Sequence, residues 1–334
     1  MRAPAFWWRP PGLAAALLAP LGAVYGAVAS ARLKQRGASA GVPVICVGDP
    51  TLGGAGKTPT AIALAKLLLA TGERPSFITR GYGGRERGPL LVDPAVHGAD
   101  AVGDEALLLA QTAPTVVAAD RVAGARFAAQ TKPTVLVLDD GFQNAALEKD
   151  FSLLVIDGMG GIGNRRVFPA GPLRAPLAPQ LAKAHALVCI GKGAAGDAIA
   201  ALAAKKGIPT FGAKIVPDRL AAQKLAGQRV LAFAGIGRPE KFFRTLAEIG
   251  AEVVEARAFP DHHPYSPHEA GELLAAAKAR GLILVTTEKD QARIARAPEF
   301  VALHAASMTL PVVLEFDDKA ALMQRITAAL RRRV

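Results

Sequence analysis

Two cysteines in 334 residues leave no basis for a disulfide framework. Cys46 and Cys189 lie in apolar, strand-like runs and read as core thiols of a protein kept in a reducing compartment. Aromatic residues make up only 5%, and no recognisable nucleic-acid module occurs, so nucleic acid is set aside as a partner. The six histidines form no His-x-x-x-His pair, and no Cys-x-x-Cys is present, which removes the usual zinc signatures. Acidic residues are the minority charge, 28 against 40 lysines and arginines, giving a formal net charge of +12. That imbalance favours an anionic partner, a phosphorylated substrate or an acidic lipid. Internal repeats and low-complexity tracts are absent, and nothing points to a protein partner.

Apolar residues make up 51% of the chain and the mean hydropathy is +0.26, values foreign to a disordered chain and suggestive of membrane contact. The length exceeds what one core usually serves, so two lobes are expected. Pro10 to Ala31 carries no charge and is bracketed by Trp7, Trp8 and Arg9 before it and by Arg32, Lys34 and Arg36 after it. Its length suits a membrane span, while Pro20, Gly22 and its alanine content suit an interfacial anchor with snorkelling basic flanks. A secretory signal cleaved near Ala27-Val28-Ala29 and an ordinary buried helix are the remaining readings.

Val42 to Thr60 reads as a buried strand, a glycine turn and a helix start, with Lys57 and Thr58 at the junction. Thr51, Leu52, Gly53, Gly54, Ala55 and Gly56 form a turn whose backbone N–H groups can converge on an anion, with a helix N-terminus aimed at the same point. Lys57 then reaches the β- and γ-phosphates of ATP, and the Thr58 hydroxyl holds Mg²⁺. Thr51 stands where the usual motif has glycine. A second apolar run, Thr134 to Leu138, ends in Asp139-Asp140-Gly141-Phe142-Gln143, delivering two carboxylates to a strand tip where they can ligate Mg²⁺. A plain Asp/Gly turn is the competing reading.

Asp104 precedes a helical run and is an N-cap by local rules; as the carboxylate that takes the proton of a sugar hydroxyl it is a candidate base. Three histidines cluster at His262, His263 and His268, either a surface turn or a His that orients a catalytic carboxylate across a cleft between lobes. Arg80-Gly81-Tyr82-Gly83-Gly84-Arg85 and the proline-punctuated run Gly163 to Arg174 offer guanidinium forks for phosphate oxygens. Thr287 to Asp290 fits a helix cap. The closing Arg331-Arg332-Arg333 suits a helix end or contact with a membrane surface.

Short β-rich runs alternate with helical stretches at 76–80, 115–118, 134–138, 152–157, 186–190 and 208–215, implying a mostly parallel α/β sheet with helices on both faces. A second series is expected at 229–234, 252–258, 282–286 and 312–316, closed by an amphipathic helix from about 318. The predicted organisation is a membrane-associated helix over 1–37, a P-loop ATP-binding domain over 38–225 and a smaller α/β lobe over 226–334.

In series, Trp7-Trp8, the Gly53 to Pro59 loop, Arg80 to Gly83, Gly103-Asp104-Glu105, Asp139 to Gln143, Pro169 to Arg174, Asp261-His262-His263 and Thr286 to Asp290 resemble the tetraacyldisaccharide 4′-kinase family, the lipid A 4′-kinases of Gram-negative bacteria. That family tolerates a non-glycine at the place of Thr51. The resemblance implies transfer of the ATP γ-phosphoryl group to the 4′-hydroxyl of a tetraacylated glucosamine disaccharide 1-phosphate, at the cytoplasmic face of the inner membrane. It implies Asp104 as base with His262 as its partner, His263 being the alternative, and Asp139 and Asp140 at Mg²⁺. Arg80, Tyr82, Glu105, Gln143, Asn164 and Arg174 are then the candidate substrate contacts. Asn144 and Ala175 depart from the family, which commonly has His and Glu there; Glu105 is the neighbour that can substitute. The lipid substrate and the anionic leaflet account for the basic surplus.

The rival reading is a membrane-positioning ATPase whose loop runs Lys-Gly-Gly-x-Gly-Lys-Thr, although Leu52 occupies the place of its signature lysine. A GTPase is disfavoured because no Asn-Lys-x-Asp reader occurs, and a nucleotide-binding interaction module is the third class.

Overall fold

A computed structural model describes residues 3–331; Arg332 and Arg333 of the basic end lie outside the described residues. The first eight strands are β1 (Val44–Gly48), β2 (Pro75–Thr79), β3 (Leu90–Leu91), β4 (Thr115–Val117), β5 (Val135–Asp139), β6 (Phe151–Asp157), β7 (Ala186–Ile190) and β8 (Thr210–Pro217). The next five are β9 (Arg229–Ala234), β10 (Glu252–Ala258), β11 (Ile283–Thr286), β12 (Ser307–Thr309) and β13 (Val312–Phe316). They form a nine-stranded sheet in the order β13-β8-β7-β6-β1-β5-β2-β4-β3 and a four-stranded parallel sheet in the order β10-β9-β11-β12. The large sheet is parallel except at its rims, where β13 and β3 run antiparallel to their neighbours.

Continuous apolar strands are what a sheet covered on both faces requires. Along β1, Ile45 and Val47 enter one core with Leu64 and Leu68 of the helix α2 (Lys57–Ala70), while Val44 and Cys46 enter the core on the other face. The register Val47↔Asp139 brings the carboxyl end of β5 beside the start of the glycine loop. Ligands of doubly wound sheets collect at that edge.

One expectation is overturned. The run 312–316 does not continue the second series; β13 pairs antiparallel with β8, Leu314↔Ile215, and closes the rim of the large sheet. The terminal helix Lys319–Arg331 follows it and buries Leu322, Ile326 and Leu330 in the same core as α2. The physical reason is that β8 otherwise leaves an unpaired edge, which a returning strand satisfies.

The N-terminal helix α1 (Leu13–Lys34) runs unbroken through Pro20. Gly22 is a point of close approach, since a Cβ there would stand 2.9 Å from the Val167 carbonyl oxygen. Gly26 abuts Pro176 in the same way, and Trp7 donates its indole N–H to the Pro169 carbonyl at 3.0 Å. The proline loop thus packs on the small-residue face of α1, while Leu13 (85% exposed), Leu17 (79%), Leu21 and Val24 point outward. By length and composition this helix could cross a membrane.

Candidate functional site

Gly56, in the left-handed region at φ 93°, caps α2; a Cβ there would stand 2.6 Å from Ile190 Cδ1, so glycine is required on two counts. Over Gly53 and Gly54 a Cβ would meet nothing within 4 Å, which leaves open space above the loop for a phosphate chain. Thr51 is buried, its strand-like pairing with Leu173 anchoring the loop, and Leu52 donates its N–H to Pro172 O at 2.7 Å. Ala55 is buried in the core beneath.

Lys57 donates to Asp49 Oδ2 at 2.8 Å and stands 3.8 Å from Asp140 Oδ1. Arg174 approaches Asp49 Oδ1 at 3.1 Å and Asp140 Oδ2 at 3.2 Å, and its Nε donates to Thr51 O at 2.9 Å. Asp49 is fully buried between the two cations, a residue sequence reasoning missed. Burial pushes its carboxyl up, and Lys57 and Arg174 oppose that. The Thr58 hydroxyl donates to Asp139 Oδ2 at 3.0 Å, and Asp139 Oδ1 is buried with no hydrogen-bond partner. Burial, then the charges of Glu105 and Asp140, push the Asp139 carboxyl up to about 7. An orphaned carboxylate oxygen beside a hydroxyl is a hard-oxygen donor set, and it fits Mg²⁺.

The Asp104 and His262 segments meet across the two sheets. Gly103, at φ 85°, is the N-cap, and Asp104 is the first residue of the helix Asp104–Ala110, accepting the Glu105 N–H at 2.9 Å; the cap expected at Asp104 is corrected by one residue. Arg293 of the helix Glu288–Ile294 grips Asp104 Oδ2 through Nε at 3.0 Å and Nη2 at 2.6 Å. His262 Nδ1 lies 3.3 Å from the same oxygen, with Tyr82 edge-on to its ring at 5.1 Å. His263 instead pairs with Glu269 at 3.0 Å and stacks on Phe259, so His262 is the neighbour that meets Asp104. Lys289 donates to Glu105 at 2.6 Å, while Asp290 accepts from Gly235 N, Tyr265 Oη and Arg293 Nη1. The Thr287 cap is present, and the same helix also carries Lys289 and Arg293, two of the cations that cross to the large sheet's side.

Burial alone would raise the Asp104 carboxyl, but the His262 hydrogen bond and the Lys289 and Arg293 charges hold it well below the usual carboxylate range. The hydrogen bond to Asp104, against burial, raises His262 above its ordinary 6.5. Their contact therefore stabilises fully below that ordinary value and is lost as pH rises through the raised one. The melting-temperature gap between the protein and a His262→Gln variant is expected to narrow from about pH 6 to about pH 9. A gap constant over that range would mean that His262 carries no proton onto Asp104.

A cleft of about 2770 Å³ is lined by the glycine loop, Lys57, Thr58, Asp140 and Arg174, and also by Arg80, Tyr82, Glu105, Gln143, His262 and Lys289. Asp104, 2% exposed, lies behind this lining rather than in it. Gln143 faces the cleft but spends its amide on Asp49 O at 2.7 Å and Gln180 at 2.9 Å. Asn164 is corrected as a substrate contact: it is buried and absent from the lining, and its amide donates to Ala170 O at 2.9 Å and Phe6 O at 3.4 Å, clamping the proline loop. Asn144 lines the cleft, whereas Ala175 is buried and its carbonyl accepts from Gln180. No group of His, Cys, Asp and Glu with the spacing of a metal cluster occurs among the described residues.

A parallel sheet, a glycine loop ending in Lys57-Thr58 and an acidic strand tip facing them define a P-loop nucleotide-binding protein of the phosphotransferase kind. Residues 14–331 match the family model for tetraacyldisaccharide-1-P 4′-kinase. The tetraacyldisaccharide 4′-kinase of Xanthobacter autotrophicus is 55% identical over 327 residues, 96% of this chain and 95% of that one. That of a Methylobacterium species is 54% identical over 334 residues, 100% and 99% of the two chains. The crystal structure of LpxK from Aquifex aeolicus in complex with ATP superposes with a TM-score of 0.72 at 25% identity, covering 95% of this chain and 99% of that one. The chain belongs to the tetraacyldisaccharide 4′-kinase family. The positioning-ATPase reading has no support in these matches.

Proposed function

We propose that this chain transfers the γ-phosphoryl group of ATP to the 4′-hydroxyl of a tetraacyl glucosamine disaccharide 1-phosphate, in lipid A biosynthesis at the cytoplasmic face of the bacterial inner membrane. The observation that carries the reading is the shared cleft: phosphate loop and acidic strand tip on one side, and His262, backed by Asp104, on the other. Lys57 leaves Asp49 to hold the β- and γ-phosphates. Thr58, Asp139 and Asp140 would hold Mg²⁺, which supplies charge neutralisation of the phosphates when bound. The sugar hydroxyl gives its proton to the Asp104–His262 pair, with His262 the member facing the cleft. Asp104, kept ionised by Arg293, stabilises the positive charge that develops on the imidazole. Arg80, Tyr82 and Glu105 border the acceptor's place, and Arg174 fixes the loop.

We also infer that the four-stranded sheet is a separate lobe, joined to the large one by Asp104–Arg293 and Glu105–Lys289 and, through Asp157, by Arg238 at 2.6 Å. Closing those lobes over bound substrates excludes water and spares ATP from hydrolysis. Purified protein given labelled MgATP and the tetraacyl disaccharide 1-phosphate is expected to label the lipid. Lipid-independent release of phosphate with no labelled lipid would refute the kinase reading.

The outward stripe of α1 is read as the surface that enters an anionic membrane, with Arg32, Lys34 and Arg36 at the headgroups. Its inner face is already occupied by the proline loop, so outward substitutions leave the fold in place. The triple variant Leu13→Ser, Leu17→Ser, Leu21→Ser is expected to lower partition onto anionic vesicles by roughly 10²-fold or more, at about 1.5–3 kcal/mol per buried side chain. Unchanged co-sedimentation would move the membrane contact elsewhere.

A further inference from the structure

We propose that Lys149 is a positioning residue, whose ammonium group holds the turn at 140–144 in the shape that sets the Asp139 and Asp140 carboxylates for Mg²⁺. The connection 140–150 leaves the carboxyl end of β5 and returns to the amino end of β6. Lys149, half-buried, reaches back along it. Its Nζ donates to the Phe142 carbonyl at 2.9 Å and to the Asn144 carbonyl at 2.5 Å. Lys149 lies outside the cleft lining, whereas Asp140, Gln143 and Asn144 on the turn lie in it.

The turn is strained at the point where the carboxylates leave the strand. Asp140 stands at φ 55°, in the left-handed region, and such a conformation persists where its surroundings over-determine it. On one side Asp140 donates its N–H to Val47 O at 3.0 Å, and Phe142 packs so closely on Gly48 that a Cβ there would collide with it. Within the turn, Asn144 donates its N–H to Gly141 O at 3.1 Å. Lys149 then gathers the Phe142 and Asn144 carbonyls with one charged group, and hydrogen bonds from an ionised donor are roughly twice as strong as neutral ones.

The base of the lysine is itself fixed. Glu148 donates its N–H to Ala38 O at 3.0 Å, and Asp150 donates its own to Val44 O at 2.9 Å while accepting the Val44 N–H at 2.7 Å. Lys149 thereby ties the turn to the first residue of β1, the strand that leads into the glycine loop. The turn also carries the side chains that reach that loop's surroundings, Asp140 to Arg174 and Gln143 to the Asp49 carbonyl. Releasing the two carbonyls frees Asp140 to leave its strained conformation and moves the carboxylates together with these contacts. Groups that orient metal ligands from behind are worth about 10–100-fold in metal affinity or activity.

This role rests on the Mg²⁺ placement proposed above and is independent of the acceptor's identity. Lys149→Met keeps the stem and removes the donors, and Lys149→Arg restores a charged donor. Calorimetric titration of the full chain with ATP, in Mg²⁺ and in EDTA, measures the gain in nucleotide affinity that the metal confers. In Lys149→Met that gain is expected to fall by about tenfold or more, and in Lys149→Arg to recover in part. Turnover should show the same split, with kcat lowered and the KM for the acceptor unchanged. A methionine variant that melts lower yet keeps the parent's metal-dependent gain makes Lys149 purely structural and overturns the assignment. Should that variant fail to fold, Lys149→Gln, which keeps an N–H donor without the charge, is read in the same way. A parent whose nucleotide affinity is indifferent to Mg²⁺ also overturns it. If the parent labels no lipid while Lys149→Met loses the metal-dependent gain, Lys149 keeps its role and the kinase reading fails. Lipid labelling by a parent whose methionine variant keeps the gain does the reverse.

Discussion

Asp104→Asn is expected to lower kcat by about 10²–10⁴-fold, the range of general-base contributions, with the KM for ATP unchanged. The proposed nucleotide contacts sit on the glycine loop and β5, and Asp104 touches none of those residues, so the loss should fall on the chemical step. Stability falls as well. The asparagine amide cannot neutralise Arg293, whose side chain is 10% exposed, and breaking a buried pair costs about 3–5 kcal/mol when one partner is removed. Arg293 keeps Asp290 at 2.6 Å, which places the expected loss at the lower end. Because the Asp104 carboxyl lies below its ordinary 3.8, its stabilisation is present above that value and is lost only as pH falls through the depressed one. The pair with Arg293 therefore persists throughout the neutral range. Single-turnover rates and melting curves on the same preparation separate the effects: a folded variant with a wild-type rate would return Asp104 to a purely structural role.

Most of the nucleotide half of the site was legible because its signals are local. An apolar run, a glycine turn and a Lys-Thr junction are contiguous, and Asp139-Asp140 closes a strand whose pattern is plain. The other half depends on contacts that sequence spacing does not encode. Arg293 stands in an ordinary amphipathic helix, and its value arises only because the second sheet brings it against Asp104. Asp49 looks like a spacer before the glycine turn; what makes it central is Arg174, delivered by the proline loop after the intervening strands have paired. The course of β13 was missed for a related reason. Val312–Phe316 has the composition of any short strand, and only the open edge of β8 decides which sheet takes it. Asn164 was misread because a polar residue in an arginine-rich loop resembles a ligand contact, whereas the turn consumes its amide.

The two cation networks have different tasks, and this follows from what each leaves unpaired. At Asp104 every near group is engaged: Arg293, His262 and the Glu105 amide occupy the carboxylate, and Lys289 occupies Glu105. Such a network holds a geometry. At the glycine loop, Lys57 is held by Asp49 at 2.8 Å, and under the proposed function it exchanges that partner for phosphate, so the contact is a placeholder as well as a support. Asp49 keeps Lys57 extended toward the strand tip, 3.8 Å from Asp140.

The exchange makes a second large effect measurable. Lys57→Met is expected to lose about 10²–10³-fold in kcat/KM, the effect of removing one charged donor from the transferring group. It should also lose about 3 kcal/mol of stability, because Asp49, fully buried, is left with Arg174 alone. Adding Asp49→Asn removes the stranded charge. The double variant should recover much of the lost stability, with a coupling energy within the roughly 0.5–3 kcal/mol seen for residues in one network, and recover none of the activity. Denaturant titration and lipid-labelling rates on the four proteins of the cycle check both halves. Additive stabilities would show that Asp49 and Lys57 act independently, whereas activity returning in the double variant would show that Lys57 serves only to neutralise Asp49.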